Sequence, residues 1–299
     1  MKTYQREIVI VILAACATAL AVWYFFGSMA KEKKIVQTDV YSMLDPSPSG
    51  LLIINRPAVF TRMMLSEQKI KKVFAAYIPE IYLSVIEQNP TLPLVVFAFH
   101  PQGVVMYAKT DEGQAYLIEK KTLRPAYNTY PAPRRQKDGI AFTYYPDVEN
   151  RFLGCYYWNG VWVGSFSKRL LEEAAERQRN EAADPDFSTH NGIQNFIQSL
   201  DRHAPLQVML PADRLNLYVQ VNDSLEWRIQ NKWLTADIFA ENGTVCCMGG
   251  EPYHAVLDTL YAAMADTLSL RLEQAFPPFH VRTQTDIGQE VVYFTSCVF

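Results

Sequence analysis

Apolar residues run along this chain in three rhythms: unbroken, alternating, and recurring every third or fourth position. The unbroken run is Ile8 to Phe26, IVIVILAACATALAVWYFF, and it carries no charge. At about 1.5 Å per helical residue it covers close to 30 Å, the hydrocarbon thickness of a bilayer, and a helix satisfies its own backbone groups there. The pattern predicts a transmembrane helix over residues 8–26, preceded by a short cytoplasmic tail, residues 1–7. Trp23 and Tyr24 fall where an interfacial aromatic belt belongs, and Lys31, Lys33 and Lys34 follow at once, so these five are the expected membrane-interface residues.

Two processing signals compete with a retained anchor. Ser28-Met29-Ala30 has the small-x-small form of a signal-peptidase site, and Leu13-Ala14-Ala15-Cys16 resembles the lipobox of bacterial lipoproteins. A cleaved signal has an apolar core of only about 7 to 15 residues. The chain also stays apolar from Ala17 to Phe26, where a lipoprotein turns polar. Both facts favour a spanning helix. Basic residues on the two sides do not decide its orientation. A short tail before a single span, followed by a long hydrophilic stretch, is the usual form of a signal anchor, and it places Thr38 to Phe299 outside the cytoplasm, in a bacterial periplasm.

Beyond a polar tether, residues 27–50, the other two rhythms alternate. Leu51 to Asn55, Leu94 to Phe99 and Val104 to Lys109 read as strands, the last two joined by a His100-Pro101-Gln102-Gly103 turn. Leu65, Ile70, Val73, Phe74 and Tyr77 form a helical stripe, and Pro79 suits the first turn of a helix reaching about Gln88. The strongest local signal is Phe152 to Phe166, because Asn159-Gly160 between aromatic and β-branched arms is the favoured type I′ hairpin loop. A two-residue loop pairs Trp158 with Val161, Tyr157 with Trp162, Tyr156 with Val163 and Cys155 with Gly164. Neither face of that hairpin is polar, so it belongs inside a sheet covered on both sides, the alternative being one aromatic face presented to a partner.

A helix from about Lys168 to Arg179 follows, opened by a serine cap at Ser165 or Ser167. Further strands lie near Leu215 to Val221, Trp233 to Ala240 and Thr244 to Met248. A helix with Leu257, Leu260, Met264, Leu268 and Leu272 on one stripe comes next, then a hairpin of His280 to Thr285 and Gln289 to Val298 turning at Asp286-Ile287-Gly288. These elements predict an α+β fold, a mixed, mainly antiparallel sheet with packed helices. The polar stretch 180–192 divides it into residues 51–179 and 193–299, whose loosely parallel element order leaves open a pair of similar subdomains.

Composition narrows the partners. The 299 residues are 49% hydrophobic and carry a net charge of -3, so they can bury a sizeable core and present no basic field for nucleic acid. Four cysteines outside the anchor, Cys155, Cys246, Cys247 and Cys297, lie in apolar β-like runs that favour buried thiols; two disulfides remain an alternative in an oxidising compartment. Cys246 and Cys247 face opposite sides of a strand and cannot share one partner.

Candidate chemistry is sparse. The histidines, His100, His190, His203, His254 and His280, never fall three to five residues apart, and no Cys-x-x-Cys occurs, so no local zinc motif is present and no metal or cofactor is expected. Asp184-Pro185-Asp186 reads as linker. Neither a Gly-x-Ser-x-Gly elbow nor a phosphate-cradling loop exists, and Gly249-Gly250 reads as a turn between strand and helix. Arg124 to Asp138, RPAYNTYPAPRRQKD, is the segment most suited to a partner. Its prolines favour extended backbone, and Tyr127, Tyr130, Arg134 and Arg135 offer the rigid aromatic and forked donors of interface hot spots.

Tyr41-Ser42-Met43-Leu44, Leu51 to Asn55 and the Leu94 to Lys109 hairpin resemble uncharacterised membrane-anchored bacterial proteins of unknown function, over about the first half of the exported part. The resemblance supplies no site residues. The sequence thus predicts a single-pass, membrane-anchored periplasmic protein acting as a non-catalytic binding or assembly module, with a protein partner in the envelope. The alternative is an envelope-associated hydrolase whose site assembles from distant residues.

Overall fold

A computed structural model describes residues 39–299 except 67, 129–130, 149–150, 184–203, 212–217, 223–224, 229–232, 242–243, 253–260, 276–280, 290 and 299. The expected membrane span, residues 8–26, and its interface residues Trp23, Tyr24, Lys31, Lys33 and Lys34 lie outside the described residues. Among the described residues no helix is long and apolar enough to cross a membrane.

The chain forms a mixed α+β structure around a mainly antiparallel sheet. A 3-10 turn at Tyr41–Met43 leads into β1, Gly50–Ile54. Three helices follow: α1, Pro57–Ser66; α2, Gln68–Ala75; and α3, Glu80–Gln88. The hairpin β2, Leu94–His100, and β3, Gly103–Lys109, comes next. Helix α4, Glu112–Leu117, runs through a π turn at Ile118–Leu123 into the short α5, Arg124–Ala126. The strands β4, Arg134–Lys137, β5, Ile140–Pro146, β6, Phe152–Trp158, and β7, Val161–Ser165, precede α6, Lys168–Ala183.

The remainder contributes β8, Leu206–Pro211; β9, Tyr218–Asn222; β10, Leu225–Arg228; β11, Trp233–Glu241; and β12, Thr244–Pro252. Helix α7, Tyr261–Ala275, and the hairpin β13, Val281–Ile287, with β14, Val291–Val298, complete it. Among the described residues twelve strands join in the order β13-β14-β12-β11-β8-β1-β2-β3-β7-β6-β5-β4, while β9 and β10 pair separately. Strands before and after residues 180–192 share this sheet, because β1 pairs with both β2 and β8.

Alternation explains why the middle of the sheet is covered on both sides. Leu52, Ile54, Val95, Phe97, Met106 and Trp162 face a core shared with Phe60, Tyr82 and Ile86 of α1 and α3 and with Ile118 and Leu123 of the π turn. Leu51, Ile53, Val96, Val105, Tyr107, Tyr156 and Val163 face the opposite core, closed by Val40 to Leu44 and by Leu170, Leu171 and Ala174 of α6. Burying each such aliphatic side chain is worth about 1.5–3 kcal/mol, which is why these runs read as continuous apolar strands. The β6–β7 hairpin has the predicted register, Trp158 opposite Val161 through Cys155 opposite Gly164. Gly164 is needed where it stands: a Cβ there would come 2.6 Å from the Trp162 ring.

Several expectations shift. Leu65 and Tyr77 of the proposed stripe are 71% and 44% exposed while Phe74 is buried, because the stretch breaks into α1 and α2. Gly249 and Gly250 lie within β12, not in a turn; a Cβ on Gly249 would come 2.8 Å from the Thr235 carbonyl oxygen, so the glycine permits close strand packing. The last hairpin pairs through Ile287 opposite Val292, so it turns beyond Ile287 and not at Asp286-Ile287-Gly288. Cys246 and Cys297 are not buried thiols: they pair across β12 and β14 in a disulfide, with Cα atoms 4.1 Å apart, while Cys155 and Cys247 are free.

Candidate functional site

The end of the sheet at β4 is built by a turn. Asp138 and Gly139 both have positive φ, 51° and 82°, and Lys137 pairs with Ile140, so an Asp-Gly loop of the hairpin type folds β4 back on β5. Cross-strand partners share a face. Arg134 lies opposite Thr143, and Arg135 opposite Phe142. Thr143 and Tyr145 belong to the face covered by α1 to α5, and Phe142 and Ile140 to the face covered by α6. Neighbouring arginines therefore go to opposite sides of the sheet.

On the first side Arg124, Tyr127, Asn128, Pro131, Ala132, Arg134, Thr143 and Tyr145 line a groove of about 520 Å³. Glu119, from the π turn, stands behind it. The Tyr145 hydroxyl donates to Glu119 Oε2 at 3.3 Å, and Arg134 Nη2 approaches the same oxygen at 3.7 Å. The Tyr127 and Tyr145 rings are 5.8 Å apart, inside the range of favourable aromatic pairs. Thr122 anchors the turn by donating its hydroxyl to Gln88 Oε1 at 2.7 Å. π turns are rare and recur at functional sites, since the extra residue per turn redirects a side chain.

Electrostatically the groove is a set of donors around one held carboxylate. Burial, reinforced by the nearby Asp147 and opposed by Arg151, pushes the Tyr127 hydroxyl up to about 12. Burial, then Cys155 and Glu119, raises Tyr145 further. Both phenols stay protonated at neutral pH and act as donors. Arg124 and Arg134 add two exposed guanidiniums beside the carboxylate of Glu119. Cys155 is fully buried, and burial followed by Glu119 lifts its thiol well above the ordinary range, which makes it an inert packing group.

The predicted quartet is thus divided. Tyr127 and Arg134 meet in the groove; Arg135 projects to the α6 side; Tyr130 lies outside the described residues. The segment departs from the extended reading at its start, because Arg124–Ala126 is helical, with Pro125 in its first turn, while Arg134–Lys137 is extended as a strand. Sequence reasoning missed Glu119 and Tyr145, which are remote from the loop. The Asp138-Gly139 pair is a hairpin-turn signal that the extended reading of this segment passed over.

Of the histidines only His100 is among the described residues. It ends β2, and its Nε2 is buried without a hydrogen-bond partner among the described residues. Burial lowers its pKa below 6.5, with Asp45 and Glu173 acting upward and Arg177 and Arg169 downward. Arg177 fastens the segment that leads into β1, donating to the Met43 carbonyl at 3.0 Å and facing Asp45 at 3.7 Å. Among the described residues no group of three or more metal-ligating side chains converges.

No family model matches the chain, and no curated protein matches it. Solved crystal forms I, III and IV of TP0453 are similar to it at 7% identity, with TM-scores of 0.48, 0.42 and 0.40. The match covers 88% of this chain in each case, and 93%, 95% and 94% of that chain respectively.

Proposed function

We propose that this chain is a single-pass, membrane-anchored extracytoplasmic protein that captures a protein partner in the cell envelope, and that the groove at Tyr127, Arg134 and Tyr145 is where capture happens. The observation that carries the proposal is the convergence of two pre-positioned phenols and two guanidiniums on an open groove beside a sheet edge that no described strand extends. Rigid aromatic and arginine side chains in a concave site are the usual anchors of protein recognition. The groove offers donors and no activated nucleophile: both phenols are held protonated, and its carboxylate is engaged by Tyr145 and Arg134. That chemistry favours binding over hydrolysis.

Location draws on two separate arguments. The apolar run Ile8 to Phe26 has the length and flanks of a signal anchor. The Cys246–Cys297 disulfide suits an oxidising compartment such as the bacterial periplasm.

Substitution at adjacent positions tests the proposal. With the tagged full-length chain crosslinked in intact cells, Arg134→Glu is expected to reduce recovery of the partner at least tenfold. Arg135→Ala, on the other face of the sheet, is expected to keep at least half of it. Equal loss from both variants, or recovery unchanged by Arg134→Glu, would remove the groove from the account.

A further inference from the structure

We infer that β4 is a docking edge on which an extended acidic segment of the partner protein adds as a further strand. The inference rests on the binding reading above and supplies the chemistry of what is bound.

The two ends of the large sheet are finished differently. At β13 two of the outward amides are taken by α7: the Val281 N–H donates to Glu273 Oε1 and the Thr283 N–H to Ser269 Oγ, both at 2.9 Å. At β4 no described strand lies outside the edge. Which groups are left free follows from the register. The Tyr144 N–H donates to the Pro133 carbonyl at 3.0 Å, and antiparallel ladders alternate, so Arg135 and Lys137 direct their backbone groups to β5. Arg134 and Gln136 therefore present N–H and C=O outward, the template an added strand requires.

The side chains name the occupant. Arg134, Arg135, Gln136 and Lys137 are all exposed, and three of the four are cationic. A charged edge of this kind also prevents edge-to-edge association, and here that argument selects among partners. A second copy would set its own cations against these, and like charges across a strand pair repel; an acidic strand would meet them with opposite charge. Arg134 and Lys137 are tied to Glu119 and Glu172 at 3.7 Å and 3.0 Å, which orients them, while Arg135 makes no ion pair among the described residues. Because an added strand alternates its side chains, one set would enter the groove beside Tyr127 and Arg134, and the other would pass Arg135 and Lys137.

The test uses the full-length chain in phosphatidylcholine nanodiscs and a fluorescent ten-residue peptide of alternating Glu and Val, with its Lys-for-Glu counterpart as control. The acidic peptide is expected to bind saturably, to slow amide exchange at Arg134 and Gln136 at least tenfold, and to exceed the basic peptide at least tenfold in affinity. Gln136→Pro removes an outward donor at an edge position that tolerates proline, and it should abolish binding. The exchange measurement on the unsubstituted protein keeps the test valid where that variant unfolds. Absence of protection at the two amides, equal binding of both peptides, or protection produced by phosphatidylglycerol nanodiscs without peptide would each overturn the inference. Partner capture in cells that survives Gln136→Pro but not Arg134→Glu would overturn strand addition and leave the groove reading standing. A chain that captures nothing would end both.

Discussion

Arg134 and Arg135 are sequence neighbours with different surroundings, because successive residues of a strand face opposite sides. Arg134 closes a groove with Tyr127, Tyr145 and Glu119; Arg135 stands on the side where Lys137 reaches Glu172. Residue types alone pointed to Tyr127 and Arg134 as anchors, whereas Glu119 and Tyr145 were illegible, since their role depends on a strand register and a π turn that bring distant positions together. His100 shows the same limit. As a turn residue it reads as solvated or capping, yet its Nε2 is buried. Its lowered pKa means that the folded state binds this proton less readily than the unfolded chain. Its contribution is full above pH 6.5 and is lost as pH falls through the folded value. Urea midpoints measured between about pH 7.5 and 5 should decline less steeply in His100→Gln than in the unsubstituted chain. An identical slope would exclude His100 as a source of acid sensitivity.

Elements were legible where periodicity and turn chemistry agreed. The Asn159-Gly160 hairpin combined apolar arms with a favoured turn, and its register is the one observed. At Asp138-Gly139 the turn signal was equally good, but Arg134-Arg135-Gln136-Lys137 has no apolar alternation, so the strand was silent and the neighbouring prolines dominated the reading. β8 was overlooked because its six residues carry no flanking turn signal as clear as an Asn-Gly pair. Gly139, at φ 82°, is the residue on which β4 depends. Gly139→Val should lower unfolding free energy by about 1–2 kcal/mol, since a side chain disfavours left-handed backbone, and should weaken partner capture by loosening β4. Wild-type stability with wild-type capture would show that the turn does not hold the edge in place.

At the scale of the whole molecule, one sheet joins the two sequence halves: β1 sits between strands of each, an arrangement that no local pattern announces. Long-range pairing of this kind depends on which apolar strands cover one another, and every described pair could have been drawn otherwise from alternation alone. The Cys246–Cys297 link likewise follows from β12 lying beside β14 and not from cysteine spacing. The account makes this sheet a scaffold with one edge closed by α7 and the other left for a partner. Its central claim is tested most directly by placing a photo-reactive residue at Tyr127 in the full-length chain in living cells, with Leu270, 55% exposed on α7, as the control position. The account predicts one discrete protein adduct from Tyr127, abolished by Arg134→Glu, and none of that mass from Leu270. No adduct from Tyr127, or the same adducts from both positions, would contradict it.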